Sequence, residues 1–436
     1  MLALKEQLKK ILPPWLLSGY HLFLAWLGAI VYSRPSQHLL VIGVTGTKGK
    51  TTVTEMINAI LEEAGYTTAL INSIRIKIAS DSRENTIRMS MPGRFFTQRF
   101  LKRALENECT AAVLEMTSEG AQQHRHRFIN LDALVFTNLA PEHIEAHGSY
   151  EAYAEAKFEI GRALARSRKR PRVMVANADD KAGARYLTLP VEHALPFSLS
   201  AQAPFSADER GGYFTFEDQK ISLQLPGTFS LMNALAAATA ARALGIPVQT
   251  IARALGKLTV VPGRAERVEA GQDFTVVVDY AHTPDSLVAL YETYKNRRKI
   301  CVLGSTGGGR DAWKRPVMGR IAEEHCDTVI LTDEDPYDED PRQIVEDIAH
   351  GMTKKPEIIM DRRIAISRAF EIALSKSNES KGIPRQARDN QNGVAVLITG
   401  KGTNHEICGP KGSTLPWSDV AVAREEIEAL LRKSRV

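Results

Sequence analysis

The sequence predicts an α/β protein with two sheet-containing domains, and three observations carry that prediction. Short apolar runs alternate with helical stretches, the pattern of largely parallel sheets covered by helices. One such run leads through a glycine-rich turn directly into a helix. The alternation then restarts after Val261-Pro262-Gly263, a break suited to a hinge. The expected architecture is an apolar helical segment over residues 1–37, a P-loop-type central domain with a mostly parallel sheet over 38–262, and a Rossmann-like C-terminal α/β domain over 263–436.

Residues 11–33 hold no Asp, Glu, Lys or Arg and follow Lys5, Lys9 and Lys10. An unbroken helix from Trp15 to Tyr32 measures about 27 Å, slightly short of a hydrocarbon core. A helix packed on the domain is the first reading, a membrane-surface contact through residues 11–33 the second, and a true span the third. A signal peptide fits less well, because no small-x-small cleavage site follows.

HLLVIGV at 38–44 reads as a buried strand, and 51–64 as a helix stopped by Gly65. Apolar runs at 111–114, 133–136 and 173–176 read as further strands. Residues 213–225, YFTFEDQKISLQL, alternate like an antiparallel hairpin, and 230–244 form an alanine-rich helix ending at Gly245. Beyond the hinge, strands are expected at 274–278, 300–303, 328–331 and 394–398. Residues 376–393 are polar and aperiodic, as in a surface loop.

Hydrophobic residues at 44% and charged residues at 25% exclude wholesale disorder and a polytopic membrane protein. A net charge of +5 is too small for this length to imply nucleic acid, and none is expected as a partner. The basic run from Arg162 to Arg172 lacks interleaved aromatics and reads as a solvated face. Cys109, Cys301, Cys326 and Cys408 form no CxxC pair; a reducing cytosol fits, and no cysteine is given a role.

The chemistry begins at TGTKGKTT, residues 45–52. Strand, glycine turn and helix in that order set backbone N–H groups and a helix N-terminus around phosphate. Lys50 reaches the outer phosphates and the Thr51 hydroxyl suits Mg²⁺, while Gly46 and Gly49 let the backbone approach oxygen. The position of the usual first glycine is Val44, so the match is to a shorter GxxGKT form. The motif argues for nucleotide and leaves the reaction open.

Further blocks follow in order: VFTNLAPEHIEAHG at 135–148, YAEAK at 153–157, NADD at 177–180, LPGTFSLMNALAA at 225–237, PGRAERV at 262–268, DYAHTPDSL at 279–287 and GGGRDAWKRPVMG at 307–319. Together these resemble the Mur ligase family of ATP-dependent amide-bond-forming enzymes, nearly from residue 40 onward. DYAHTPDSL and the RD..KRP block resemble the branch that adds a diamino acid to UDP-N-acetylmuramoyl-L-alanyl-D-glutamate in peptidoglycan biosynthesis. The resemblance implies a cytoplasmic monomer working on small molecules in two steps. A carboxylate attacks the γ-phosphate of ATP to give an acyl phosphate, and an amine then displaces phosphate.

It also implies roles for residues. Lys50, Glu115, His143 and Lys157 are the expected catalytic group. Thr51, Glu115, His143 and Lys157 would hold Mg²⁺, Lys157 in carbamylated form. Gly46, Thr47, Lys48, Gly49, Lys50, Thr51, Thr52, Asn138, Asn233, Arg264, Asp279 and His282 would hold ATP, with Asn233 at the adenine end. Ser118, Arg125, Arg310, Asp311, Lys314, Asp335 and Glu406 would meet acceptor and amine, with Arg315 beside the basic cluster.

The chain departs from the family pattern in places. The stretch before Gly46 is shorter than the family's UDP-gripping domain, which leaves the acceptor's carrier open. Ser90-Met91-Pro92 and Thr117-Ser118-Glu119 replace the usual acceptor-side residues. Where the diaminopimelate-reading motif ends in arginine, the chain has Glu334-Asp335-Pro336-Tyr337, within six acids over residues 333–340. That acidity suggests lysine or another amine as nucleophile. A folylpolyglutamate-synthase-like ligase, a non-catalytic nucleotide-binding subunit and a simple P-loop kinase are the rival readings.

Overall fold

Runs that are apolar at every position become central strands, because only a strand covered on both faces buries all its side chains. The computed structural model describes residues 13–87, 89–142, 144–379 and 393–433. Its first sheet contains β1 (Leu40–Thr45), β2 (Thr68–Ile71), β3 (Arg75–Ile78), β4 (Asp81–Glu84), β5 (Ala111–Glu115), β6 (Ala133–Phe136), β7 (Val173–Asn177) and β8 (His193–Phe197), in the order β4-β3-β2-β5-β1-β6-β7-β8. All neighbours from β2 to β8 pair in parallel, and β3 and β4 extend the edge antiparallel. The expected strand at 38–44 starts two residues late, because Pro35–His38 forms a 3-10 turn.

Helices α1 (Pro14–Val31), α2 (Lys50–Glu63), α3 (Arg94–Glu106), α4 (Tyr150–Ala165), α5 (Thr228–Ala243) and α6 (Val248–Lys257) flank this sheet. Alternation along β1 divides the core. Ile42 and Val44 join Met56, Ile57 and Ala234 on one face, and Val41 joins Phe100, Leu101 and Leu164 on the other. The expected hairpin forms as β10 (Gly212–Phe216) and β11 (Gln219–Leu223), with β9 (Ser206–Ala207) beside them.

The second sheet holds β12 (Glu266–Arg267), β13 (Thr275–Asp279), β14 (Arg298–Leu303), β15 (Thr328–Leu331), β16 (Glu357–Ile358) and β17 (Val394–Thr399), ordered β12-β13-β17-β14-β15-β16 and parallel except for β12. It is covered by α7 (Pro284–Thr293), α8 (Lys314–His325), α9 (Pro341–Ala349), α10 (Arg362–Glu379) and α11 (Asp419–Lys433). The surface loop expected at 376–393 is corrected at its start, where residues 376–379 complete α10; residues 380–392 lie outside the described set. Cys301 and Cys326, given no role by the sequence, are joined by a disulfide across 25 residues. The crossover from β14 through α8 brings them together, which linear spacing conceals.

The apolar segment is a helix packed on the domain. Ala25, Gly28 and Ala29 of α1 are buried, and Tyr32 meets Phe95 of α3 edge-on at 6.5 Å. Among the described residues, no helix is long and apolar enough to cross a membrane.

Two buried polar features generate predictions about stability. Arg362 donates to both carboxylate oxygens of Asp419, at 2.8 and 2.7 Å, and to the carbonyl of Thr399, with almost no exposure of either side chain. Asp419→Ala leaves that guanidinium buried without its counter-charge, with an expected loss of about 3–5 kcal/mol in urea unfolding. His126 is buried with neither ring nitrogen hydrogen-bonded. Burial, with Arg127, His124 and Arg166 adding repulsion, pushes its pKa from 6.5 down to about 3. The unfolded chain therefore binds a proton that the native chain refuses, so stability falls as pH drops from 6.5 towards 3. Unfolding measured across that window in His126→Leu should show a flatter pH dependence.

Candidate active site

The C-terminal ends of parallel strands are where loops distant in sequence converge, and here they converge on the turn after β1. Gly46 takes φ 146° and Gly49 φ 81°, and Gly49 caps α2. A Cβ at Gly46 would lie 1.9 Å from Thr137 Oγ1, so the close approach of β6 requires glycine there. The neighbouring strand ends fix the loop. Asn138 accepts from Thr47 N through its carbonyl and from Lys48 N through Oδ1, both at 2.9 Å. Thr137 Oγ1 donates to the Lys48 carbonyl at 2.6 Å. The first-turn N–H groups of α2, which no helix carbonyl reaches, point into the cleft.

Cations crowd this loop. Lys50 Nζ donates to the Thr47 carbonyl at 2.8 Å, and Lys157 Nζ, delivered by α4, donates to the Gly46 carbonyl at 2.7 Å. Burial lowers the pKa of both; Glu115 and Glu142 oppose the shift, while mutual repulsion pushes Lys157 further down. Glu115, at the end of β5, is buried and accepts from Thr51 Oγ1 at 2.9 Å and Ser73 N at 3.0 Å. A threonine hydroxyl beside a carboxylate is a hard-oxygen pair suited to Mg²⁺, which keeps waters and phosphate oxygens in its remaining positions. Among the described residues, no group of three His, Cys, Asp or Glu side chains is placed to hold a metal unaided. His143 lies outside the described residues.

A cavity of about 700 Å³ opens over the loop and is lined from both domains. Of the expected residues, Thr47 to Thr52, Glu115, Asn138, Lys157, Asn233, Arg264, Asp279 and His282 line it, as do Ser118, Arg125, Arg310, Asp311 and Lys314. Gly46 lies buried beneath the loop. Asn233 packs its Oδ1 against Gly49, on the phosphate loop itself. Arg264 lies over the Tyr280 ring at 4.4 Å. Asp279 accepts from Ala265 N and Ala281 N, and burial raises its pKa.

Several contacts were not legible in the sequence. Glu142 Oε1 accepts from Lys48 Nζ at 2.9 Å and meets His282 Nε2 at 2.8 Å, so one carboxylate ties the phosphate loop to the second domain. Burial and the nearby Lys48 push the His282 pKa down to about 4, against the pull of Glu142. Asp311 accepts from Ile144 N at 3.1 Å, making it a clasp between domains. Tyr153 OH meets Thr47 Oγ1 at 2.9 Å. Glu142 and Tyr153 both sit in motifs already noted, which was the available signal; nothing marked Ser73.

Asp335 and Glu406 are not among the cavity-lining residues. Asp335 is paired with buried Lys401 at 2.7 Å and accepts from Cys408 N. The rest of the acidic run is likewise engaged. Glu339 pairs with Arg315, Asp338 accepts from Lys411 N, Asp340 caps α9 and Glu334 accepts from Thr306 Oγ1 at 2.8 Å. The expectation that six acids jointly face an ammonium is thereby corrected. Glu334 retains a buried oxygen, Oε2, with no hydrogen-bond partner, and burial raises its pKa.

Comparison with known proteins agrees with this geometry. The family profile described as Mur ligase middle domain matches residues 44–241, and that described as Mur ligase, glutamate ligase domain matches 263–402. UDP-N-acetylmuramoyl-L-alanyl-D-glutamate–2,6-diaminopimelate ligase of Syntrophomonas wolfei is 34% identical over 419 residues, covering 92% of this chain and 81% of the relative. UDP-N-acetylmuramyl-tripeptide synthetase of Roseiflexus is 35% identical over 437 residues, covering 93% and 82%. A solved UDP-N-acetylmuramoyl-L-alanyl-D-glutamate–2,6-diaminopimelate ligase superposes with a TM-score of 0.59 at 27% identity, covering 90% of this chain and 79% of the other. Folylpolyglutamate synthase of Mycobacterium tuberculosis shares the fold, with a TM-score of 0.68 at 17% identity over 92% of this chain and 95% of the other.

The crowding at Gly46 generates a prediction. Gly46→Ala should weaken ATP binding by at least about tenfold in calorimetry while leaving the circular dichroism spectrum unchanged, because the added methyl displaces the strand end that shapes the phosphate loop.

Proposed function

The chain belongs to the Mur ligase family of ATP-dependent amide-bond-forming ligases, and we propose that it joins an amino acid to the carboxylate of a muramoyl-peptide-like precursor of peptidoglycan. The observation that carries this reading is the convergence of Lys48, Lys50, Lys157 and Glu115 around one phosphate-binding turn, closed over by Arg264, His282 and Lys314 from the second domain. The cations offset the repulsion between a carboxylate and a triphosphate, both anionic, in the first step. Closure of the second domain excludes water, which protects the acyl phosphate before the amine arrives.

Thr51 and Glu115 would hold Mg²⁺, which supplies charge neutralisation on the phosphoryl oxygens. We assign Lys157 as the site of carbamylation. Burial and neighbouring cations favour its neutral amine, the form that reacts with carbon dioxide, and a carbamate keeps one N–H for the Gly46 carbonyl. Ser118 and Arg125 line the acceptor end. The nucleophile in this reading is lysine or a similar diamine, supported by Tyr337 standing where the diaminopimelate-reading motif that the sequence resembles ends in arginine. We place the reaction in the cytoplasm, with the chain acting as a monomer and touching the membrane surface through its N-terminal segment. Retention of Lys50, Glu115 and Lys157 in one cavity weighs against a non-catalytic subunit, and the second domain against a simple kinase.

Incubation with ATP, Mg²⁺, muramoyl dipeptide acceptors and a panel of diamino acids should give amine-dependent ADP release and a product heavier by the added residue. Lysine should outpace diaminopimelate by about tenfold or more. Lys157→Ala should lower turnover by about a hundredfold or more. ADP release indifferent to every amine would remove the assignment.

A further inference from the structure

Helix α1 turns an apolar side to solvent. Trp15, Leu16, Tyr20, Phe23, Trp26 and Ile30 are all exposed, Trp15 by 74%. At 3.6 residues per turn they share one arc of roughly 140°, and that arc carries no charged side chain. Ala25, Gly28 and Ala29 occupy the opposite side, against α3. A surface helix ordinarily shows the reverse polarity.

Cations lie beyond the C-terminal end of α1. The turn Pro35–His38 that follows α1 rests against the basic run that the active site does not use. Lys169 Nζ donates to the Leu39 carbonyl, Asn130 N donates to Ser36 Oγ at 3.0 Å, and Arg168 N donates to Asn130 Oδ1 at 3.3 Å. Arg166, Arg168 and Arg170 are exposed there. Glu159 and Glu192 lie beside Arg166 and Arg170, at 3.5 and 3.1 Å, and Asp132 pairs with Lys169. In the sequence, Lys5, Lys9 and Lys10 precede the other end of α1. The packed side of the helix reaches towards the cleft. Ser18 Oγ is hydrogen-bonded to His124 Nε2 at 2.8 Å, next in sequence to Arg125, which lines the cavity.

We propose that this edge docks on an anionic lipid bilayer, with α1 lying in the interfacial plane. Tryptophan and tyrosine side chains, apolar with a polar tip, suit the headgroup level, and the cations beside the turn that follows the helix, with Lys5, Lys9 and Lys10 preceding it in the sequence, suit anionic headgroups. With 18 residues and flanking charge, α1 lies on the membrane and does not span it. Docking sets the acceptor end of the cleft beside the lipid surface. That last designation rests on the ligase reading; the docking itself does not.

The test is co-sedimentation of the full-length protein with vesicles of phosphatidylcholine alone and of equal parts phosphatidylcholine and phosphatidylglycerol. The wild type should sediment with the anionic vesicles, less with the neutral ones, and less at high salt. The combined variant Trp15→Ser, Phe23→Ser, Trp26→Ser should lose at least about tenfold in partitioning. The combined variant Arg166→Gln, Arg168→Gln, Arg170→Gln should lose several-fold on anionic vesicles alone. Both should keep the wild-type thermal midpoint, since the replaced side chains are exposed. Wild type that stays in the supernatant, or serine variants that sediment equally, would overturn the proposal. A concentration-dependent dimer that the serine variant converts to monomer would overturn it too, assigning the face to a second copy. Amine-dependent ADP release on a soluble acceptor should be the same in the wild type and the serine variant, which separates a failure of docking from a failure of the ligase reading.

Discussion

Repulsion between two anions governs the first domain. A carboxylate can approach a triphosphate only where positive charge is already assembled, and buried cations repel one another and lose their hydration. The fold resolves this by placing acceptors among the lysines. The Gly46 and Thr47 carbonyls take bonds from Lys157 and Lys50, and Glu115 and Glu142 supply negative charge. The backbone of α2 contributes positive potential without adding another side chain to desolvate. Apart from Lys157, which α4 delivers, these groups stand at the C-terminal end of a parallel strand or a few residues beyond one, because there β1, β5 and β6 deliver loops from distant stretches of chain to one point.

The second domain completes the site through a few directed contacts. Glu142 joins Lys48 to His282, and Asp311 joins the backbone at Ile144, so the two sheets meet across the cavity with their strand ends facing. The same domain shows how misleading local charge can be. An acidic stretch looks like a receptor for a cation, yet a carboxylate in a crowded fold finds internal donors first, because an unsatisfied buried oxygen is costly. Asp335, Asp338, Glu339 and Asp340 all do so, and Glu334 keeps one oxygen unpaired.

Helix α1 extends the logic to the surface. Its small residues face α3, where close approach favours Ala and Gly, and its large aromatic residues face outward. Neither side alone explains the helix. Packing on the domain fixes where it lies, and the turn that follows it rests against a cationic loop.

The sequence by itself determined the alternation of strands and helices, the phosphate loop and the break before the second domain. These depend on periodicity, glycine placement and turn chemistry, all local properties of the chain. The central strands at 133–136 and 328–331 were legible to the residue because burial on both faces makes them apolar but for the half-buried Thr328. Tertiary structure alone decided which groups meet: Cys301 with Cys326, Glu142 with His282, Asp335 with Lys401, and Asn233 with Gly49. Such pairings join residues that strand order brings together, and a linear pattern carries the preference of a residue for burial or exposure without naming the partner that burial supplies.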